Sequence, residues 1–265
     1  MHREQTGEGS MSGKLFVYSV EVTGKIPEDN YIAKLPTVRN LRAMGGLAFH
    51  KPVTFLVGEN GVGKSTLIEA IAIHAGFNAE GGSRNFNFST HESHSDLYHY
   101  IRLTRGPERN VDGFFLRAES FYNVASNIDD LDRHYGGNRM LIESYGGKSL
   151  HEQSHGESFL SLVEHRFNGY GLYILDEPEA ALSPMKLMTL MCLIRNVVDE
   201  KSQFIISTHS PILMTFPGAE IYELTEKGIR SVRYQETEHF QVTKQFLNAP
   251  EQMLRYLDID DLPER

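Results

Sequence analysis

One cysteine, Cys192, and no tryptophan occur among the 265 residues. A lone thiol excludes an internal disulfide and a cysteine-built zinc site, which fits a reducing compartment. No run of about eighteen apolar residues is present, and the amino terminus lacks a basic stretch followed by an apolar core. The protein is therefore expected in the cytoplasm, with no membrane partner. Basic residues are also short, 26 Lys and Arg against 35 Asp and Glu, which leaves a net charge of -9. A molecule with that balance repels nucleic acid as a whole, so a DNA partner would need a local basic patch and has no support from composition. Gly and Pro, 23 and 10, are too few for a low-complexity chain.

What is there suits an ordinary globular protein, 40% hydrophobic and 23% charged. The length fits one α/β domain carrying an insertion. Residues 1–12 are polar and Gly-containing and read as a disordered leader or tag, with Met11 a candidate start. Residues 13–265 are expected to form the single domain, with a lobe inserted at about 84–165. Leu15 to Val22 predicts a strand, and Pro36 to Leu41 a second short one before the Gly45-Gly46 turn. Val53 to Val57 is an apolar run of the kind buried in a parallel sheet. From Lys64 to Phe77, the residues Leu67, Ile68, Ile71, Ala72 and Ala75 recur at helical spacing.

Glu80 to Ser95 reads as a loop, followed by strands at Tyr100 to Thr104 and Gly113 to Ala118. The polar stretch Asn123 to Gly147 is assigned to a helical lobe. Past Gly156, a helical pattern of Phe159, Leu162, Val163 and Phe167 runs to Asn168-Gly169. Leu172 to Leu175 and Phe204 to Ser207 are buried strands, separated by a helix that Pro184 opens. A hairpin around Glu226-Lys227-Gly228 and an amphipathic helical tail complete the chain.

Gly58-Glu59-Asn60-Gly61-Val62-Gly63-Lys64-Ser65 matches G-x-x-x-x-G-K-[ST], between a strand and a helix as that motif requires. Its glycines let backbone N–H groups close on phosphate oxygens, and the helix offers its positive end. Lys64 is expected at the β and γ phosphates and Ser65 on Mg²⁺. Four apolar residues then put Asp176 and Glu177 at the carboxyl end of a strand, where ligands collect in open α/β sheets. Asp176 suits Mg²⁺, and Glu177 suits the general base that polarises the attacking water. An Asp-Glu pair before Pro is also a common strand-ending turn.

The order GENGVGKST, SHGES at Ser154 to Ser158, LYILDEPEAALS at Leu172 to Ser183 and ISTHS at Ile206 to Ser210 resembles the ABC-type P-loop ATPases. Within them it is closest to the soluble SMC-like and RecF-like heads and the small stand-alone AAA-family ATPases. The resemblance implies an ABC-ATPase-like head with a mixed central sheet, amino-terminal antiparallel strands and a small helical lobe. It implies ATP contacts from Gly58, Asn60, Gly61, Gly63, Lys64, Ser65 and Thr66, and Mg²⁺ at Ser65 and Asp176. Ser154, Gly156 and Glu157 stand where the family has its signature loop, which meets the nucleotide of the other subunit, so an ATP-dependent homodimer is implied. His155 replaces the first signature glycine, and a plain Ser helix cap is the alternative reading there. Ala181-Leu182-Ser183 corresponds to the D-loop, and His209 to the histidine that senses the γ-phosphate. The family also expects a Gln before the signature, yet none occurs between Gln5 and Gln153. Asn87 and His91 are the nearest substitutes.

Two features take a plainer reading. His91, His94 and His99 with Glu92 and Asp96 lack any helix-borne metal motif and read as a solvated loop. Arg102, Arg105, Arg109 and Arg117 read as surface pairing on the lobe. The leading expectation is Mg²⁺-dependent ATP hydrolysis in a head-to-tail dimer that drives or gates a partner. The alternatives are an ATP-gated switch for an effector protein with slow hydrolysis, and a DNA-maintenance ATPase, the latter without the long heptad arms or Cys pair its relatives use. A GTPase is disfavoured by the absence of Asn-Lys-x-Asp, and a transporter subunit by the missing Gln.

Overall fold

Short runs that are apolar on both faces have no side to turn to water, so they collect in the middle of a sheet covered on both sides. In the computed structural model, which describes residues 15–83, 94–119, 121 and 154–259, four such runs do this. In chain order the elements are β1 (Val17–Val22), α1 (Tyr31–Lys34), α2 (Pro36–Met44), β2 (Leu47–Ala48), β3 (Val53–Val57) and α3 (Lys64–Ala75). Then come β4 (Ile101–Arg105), β5 (Asp112–Arg117), α4 (His155–Arg166), β6 (Gly171–Asp176), α5 (Pro184–Asp199) and β7 (Gln203–Ser207). The hairpin β8 (Glu220–Leu224) and β9 (Ile229–Ser231) leads to α6 (Glu238–Asn248) and α7 (Pro250–Tyr256).

The main sheet runs β5-β6-β7-β3-β8-β9, parallel except for β9, which turns back against β8. The two-residue alternation of strands sorts its side chains into two cores. Phe55, Tyr173, Leu175, Phe204 and Ile206 join Phe159, Leu162, Leu190 and Ile194 of α4 and α5. Leu56, Leu172, Ile174 and Ile205 pack on the other face with Leu67, Ile68 and Ile71 of α3 and with Val17 and Val20 of β1. That second core lies under an antiparallel sheet in the order β2-β1-β4. The mixed α/β architecture with amino-terminal antiparallel strands is the expected one; residues 1–12 and the stretch 123–147 lie outside the described residues.

Two expectations need correction. Pro36 to Leu41 is not a strand but the start of α2, with Pro36 in its first turn, Thr37, Val38 and Leu41 buried on one face, and Gly45 closing it in the left-handed region. A fixed proline φ and a glycine stop outweigh the β preference of Thr and Val in so short a window. The strands expected within an inserted lobe are instead integral to the body: β4 pairs with β1, and β5 pairs with β6.

Gln203 joins the two sheets. Its Oε1 accepts from Phe16 N and Val17 N at 2.9 Å each, and its Nε2 donates to Val17 O at 2.9 Å, with the residue 1% exposed. A buried amide that satisfies three backbone groups is expensive to remove, because each is left without water or partner. Gln203→Ala is expected to cost about 2–3 kcal/mol in urea unfolding, and Gln203→Leu, which restores volume, at least as much. A loss below about 0.5 kcal/mol in both, the size of an ordinary surface change, would show that Gln203 does not join the sheets in this way.

Candidate nucleotide site

The loop between β3 and α3 is held in shape from three sides. Gly58 adopts φ 145, and a side chain there would come 2.1 Å from Leu224 O of β8, so no other residue fits. Val62 O accepts from both Thr37 N at 3.0 Å and Thr37 Oγ1 at 2.6 Å, which ties the loop to the first turn of α2. Gly63, at φ 100, is the N-cap of α3 and lets Lys64 begin it. Lys64 is 4% exposed, and its Nζ donates to Gly58 O at 2.8 Å and Glu59 O at 3.0 Å. Burial pulls its pKa down, against the nearby charges of Glu177, Asp176 and Glu179. Asn60 and Gly61 are exposed at the crest of the loop, and Ser65 and Thr66 are half-buried.

Facing it are the carboxyl ends of β6 and β7. Asp176, 5% exposed, accepts from Ser207 Oγ and has Oδ2 at 3.4 Å from Arg117 Nε, at the end of β5. Burial raises its pKa, while the bonds from Ser207 and Ser65 and the charge of Arg117 oppose the rise. Glu177 sits in the left-handed region at φ 49 and ψ 53, its N–H donating to Ser207 O at 3.1 Å. That turn breaks the strand alternation. It sends the carboxylate toward His209, with Oε1 3.3 Å from Nε2. The approach is not aligned for a hydrogen bond, and Nε2 remains a buried atom without a partner. The other ring nitrogen, Nδ1, lies 2.8 Å from His239 Nε2. Desolvation first, then Lys64 and His239, push the His209 pKa down to about 4, so the ring is neutral at neutral pH.

Ser154, Gly156 and Glu157 form a second group at the start of α4. Glu157 Oε2 accepts from Ser154 N at 3.1 Å and Ser154 Oγ at 2.6 Å, and these bonds hold its carboxyl below the usual range. Lys186 Nζ donates to Ser154 Oγ at 3.3 Å. A side chain at Gly156 would press on Ala181 O at 2.9 Å and on Lys186 Cδ at 3.0 Å, so glycine permits α4 to approach the turn after β6. The structure thus gathers Lys64, Ser65, Asp176, Glu177 and His209 at one sheet edge. Among the described residues, the side-chain hydrogen bonds of Ser154 and Glu157 run to each other and to Lys186 instead.

Several contributors escaped the sequence reading. Glu179, half-buried and raised in pKa by desolvation, accepts from Thr208 Oγ1 at 2.8 Å and from His209 N, so it clamps the two strand ends together. The Glu-Pro-Glu spacing was its only local sign. Ser207 and His239 had none. Arg117 is not a surface ion pair: it bonds Glu69 at 2.6 Å and leans on Asp176, whereas Arg102 does pair on the surface with Glu21 at 2.9 Å. His94 and His99 lie beside the Tyr98 ring, while His91 and Glu92 are outside the described residues. Among the described residues no group of three or more His, Cys, Asp or Glu is arranged for a metal ion, and no helix is long and apolar enough to cross a membrane.

Two family models match the chain. One, described as an AAA domain, matches residues 38–155. The other, an AAA-domain model whose description also names the AbiEii toxin of a type IV toxin–antitoxin system, matches residues 154–215. Comparison with curated proteins finds no match. Among solved structures, cbiO1 from Clostridium perfringens, part of the ABC transporter complex cbiONQ, is 19% identical with a TM-score of 0.46, covering 93% of this chain and 100% of that one. The ADP form of MJ1267, an ATP-binding cassette of an ABC transporter, is 17% identical with a TM-score of 0.46, covering 92% and 99%. The SMC head domain from Thermotoga maritima is 15% identical with a TM-score of 0.39, covering 83% and 99%. At such TM-scores the likeness is loose, and the assignment stands on the two domain models and the motifs they span. The phosphate loop, the strand end at Asp176 and His209 all lie inside the matched residues, so over residues 38–215 the chain is similar to AAA-domain proteins.

Proposed function

We propose that the protein binds ATP with Mg²⁺ and hydrolyses it, as a head-to-tail dimer in which each copy completes the site of the other. The observation that carries this reading is the buried Lys64 ammonium, whose hydrogen bonds among the described residues go to two carbonyls of its own loop. The carboxylates near it act only through space, and the loop and the start of α3 favour a phosphate chain in direct contact. The Ser65 hydroxyl is close enough to the Asp176 carboxyl to favour its charged form. With phosphate oxygens and water they make the all-oxygen donor set that Mg²⁺ takes. When bound there, the ion would neutralise charge on the phosphates.

Glu177 is suited to take a proton from the attacking water as that water's oxygen bonds to the γ-phosphorus and the bond to ADP breaks. His209 is suited to donate from Nε2 to the charge that develops on the γ-phosphoryl oxygens. Ser154 and the start of α4, with a hydroxyl and helix N–H groups, are suited to cap the γ-phosphate of a second copy. In the single chain that hydroxyl is engaged by Glu157 and Lys186, so the dimer would form as these bonds are exchanged for phosphate.

A second reading, an ATP-gated switch that acts on an effector protein and hydrolyses slowly, is supported by Arg117. It occupies the end of β5 beside Asp176 in a chain with no Gln between Gln5 and Gln153. A role in DNA maintenance has the weakest support, given the net charge of -9.

Lys64→Ala is expected to weaken ATP binding about thirtyfold or more, as for truncating a buried charged contact. Glu177→Gln is expected to keep ATP binding and lower turnover about a hundredfold or more. Unchanged turnover in both variants would sink the hydrolysis reading. In light scattering, ATP should double the mass of the Glu177→Gln protein and ADP should not. A mass indifferent to nucleotide would rule out the shared site.

A further inference from the structure

His239 is the second residue of α6 and meets the site from outside the matched motifs. The ring centroids of His209 and His239 are 4.9 Å apart, and the planes are inclined by 60°. The start of α6 is well anchored. Thr237, 0% exposed, caps it by accepting from Phe240 N at 3.4 Å and donating to Tyr234 O at 2.7 Å. The rest of α6 has no buried residue. Two half-buried side chains of its first turn face the body, Phe240 against Tyr234 and the His239 imidazole against His209, the latter beside the loop residues Gly58 and Glu59 across a shared cavity.

Burial holds both imidazoles below their ordinary pKa, so the pair is neutral and one proton lies between Nδ1 of His209 and Nε2 of His239. There are two ways to assign it. If His209 donates, its Nε2 presents a lone pair to the Glu177 carboxylate 3.3 Å away, which is repulsive in a desolvated site. If His239 donates, His209 carries its proton on Nε2, where the nearby carboxylate attracts it although the approach is off line for a hydrogen bond. The second arrangement turns the only unmatched nitrogen of the ring into a donor. It is also the form able to donate to a phosphoryl oxygen.

We infer that His239 is a positioning residue that fixes His209 as the Nε2–H tautomer and so aims a donor into the site. The catalytic consequence rests on the hydrolysis reading above; the tautomer does not. The orienting group comes from a helix about thirty residues further along the chain, so the position of α6 sets the readiness of the site.

The test combines nitrogen NMR of ¹⁵N-histidine protein without nucleotide and steady-state kinetics. In the wild type, His209 should show the Nε2–H pattern. In His239→Ala it should become a mixture, and in His239→Gln, whose amide N–H reaches the same place, it should stay Nε2–H. His239→Ala should lower kcat about tenfold or more with KM changed less than about twofold, and His239→Gln should recover most of the loss. An Nδ1–H pattern in the wild type overturns the inference. So does a His239→Ala protein with normal kcat, or one whose loss Gln does not rescue. If the wild type itself lacks turnover, the hydrolysis reading fails, and the NMR patterns alone decide the tautomer.

Discussion

The Lys64 ammonium, 4% exposed and held by Gly58 O and Glu59 O, constrains most of what surrounds it. A cation out of water must be balanced, and here balance is shared among carboxylates that do not touch it, with Glu177, Asp176 and Glu179 all acting through space. Those carboxylates are crowded in turn. Asp176 and Glu179 are pushed toward their protonated forms by burial and held against it by Ser207, Thr208 and the His209 amide. The sheet edge is therefore a set of charges that depend on one another, and a phosphate bound as proposed would add negative charge beside Lys64.

The sheet serves this arrangement through parallel register. Asp176 pairs with Arg117 on one side and Ser207 on the other, so this carboxyl and the two groups that brace it are set by strand pairing and not by loop conformation. Elements with short, packed connections hold such groups more tightly than loops do. The groups that come from loops and caps, Ser154 with Glu157 and His209 with His239, are those whose hydrogen bonds can be exchanged.

How far this was legible in the sequence depended on distance along the chain. The phosphate loop, Asp176 with Glu177, and the buried strands could be read because a local run of residues specifies each, and the structure has strands where those runs predict them. The stretch Pro36 to Leu41 was misread because six residues with Thr and Val look like a strand until the proline start and the Gly45 cap are weighed together. The strands at 101–105 and 112–117 were read as strands but set in the wrong company, since partners in a sheet leave no mark on the strand itself. Glu179, Ser207 and His239 were missed for one reason. Each meets its partner about thirty residues away, by side-chain bonds that no period or motif encodes.

The left-handed backbone at Glu177 has a consequence for descent. A side chain at φ 49 costs on the order of 1 kcal/mol or more against glycine or asparagine at the same place. A strained residue of this kind persists when the surrounding structure or a function retains it. In a lineage released from acid–base work at this position, drift would favour Gly or Asn at 177 ahead of losses in the phosphate loop. If Glu177 acts as proposed, the identity of that one residue would separate descendants that turn over nucleotide from those that only hold it.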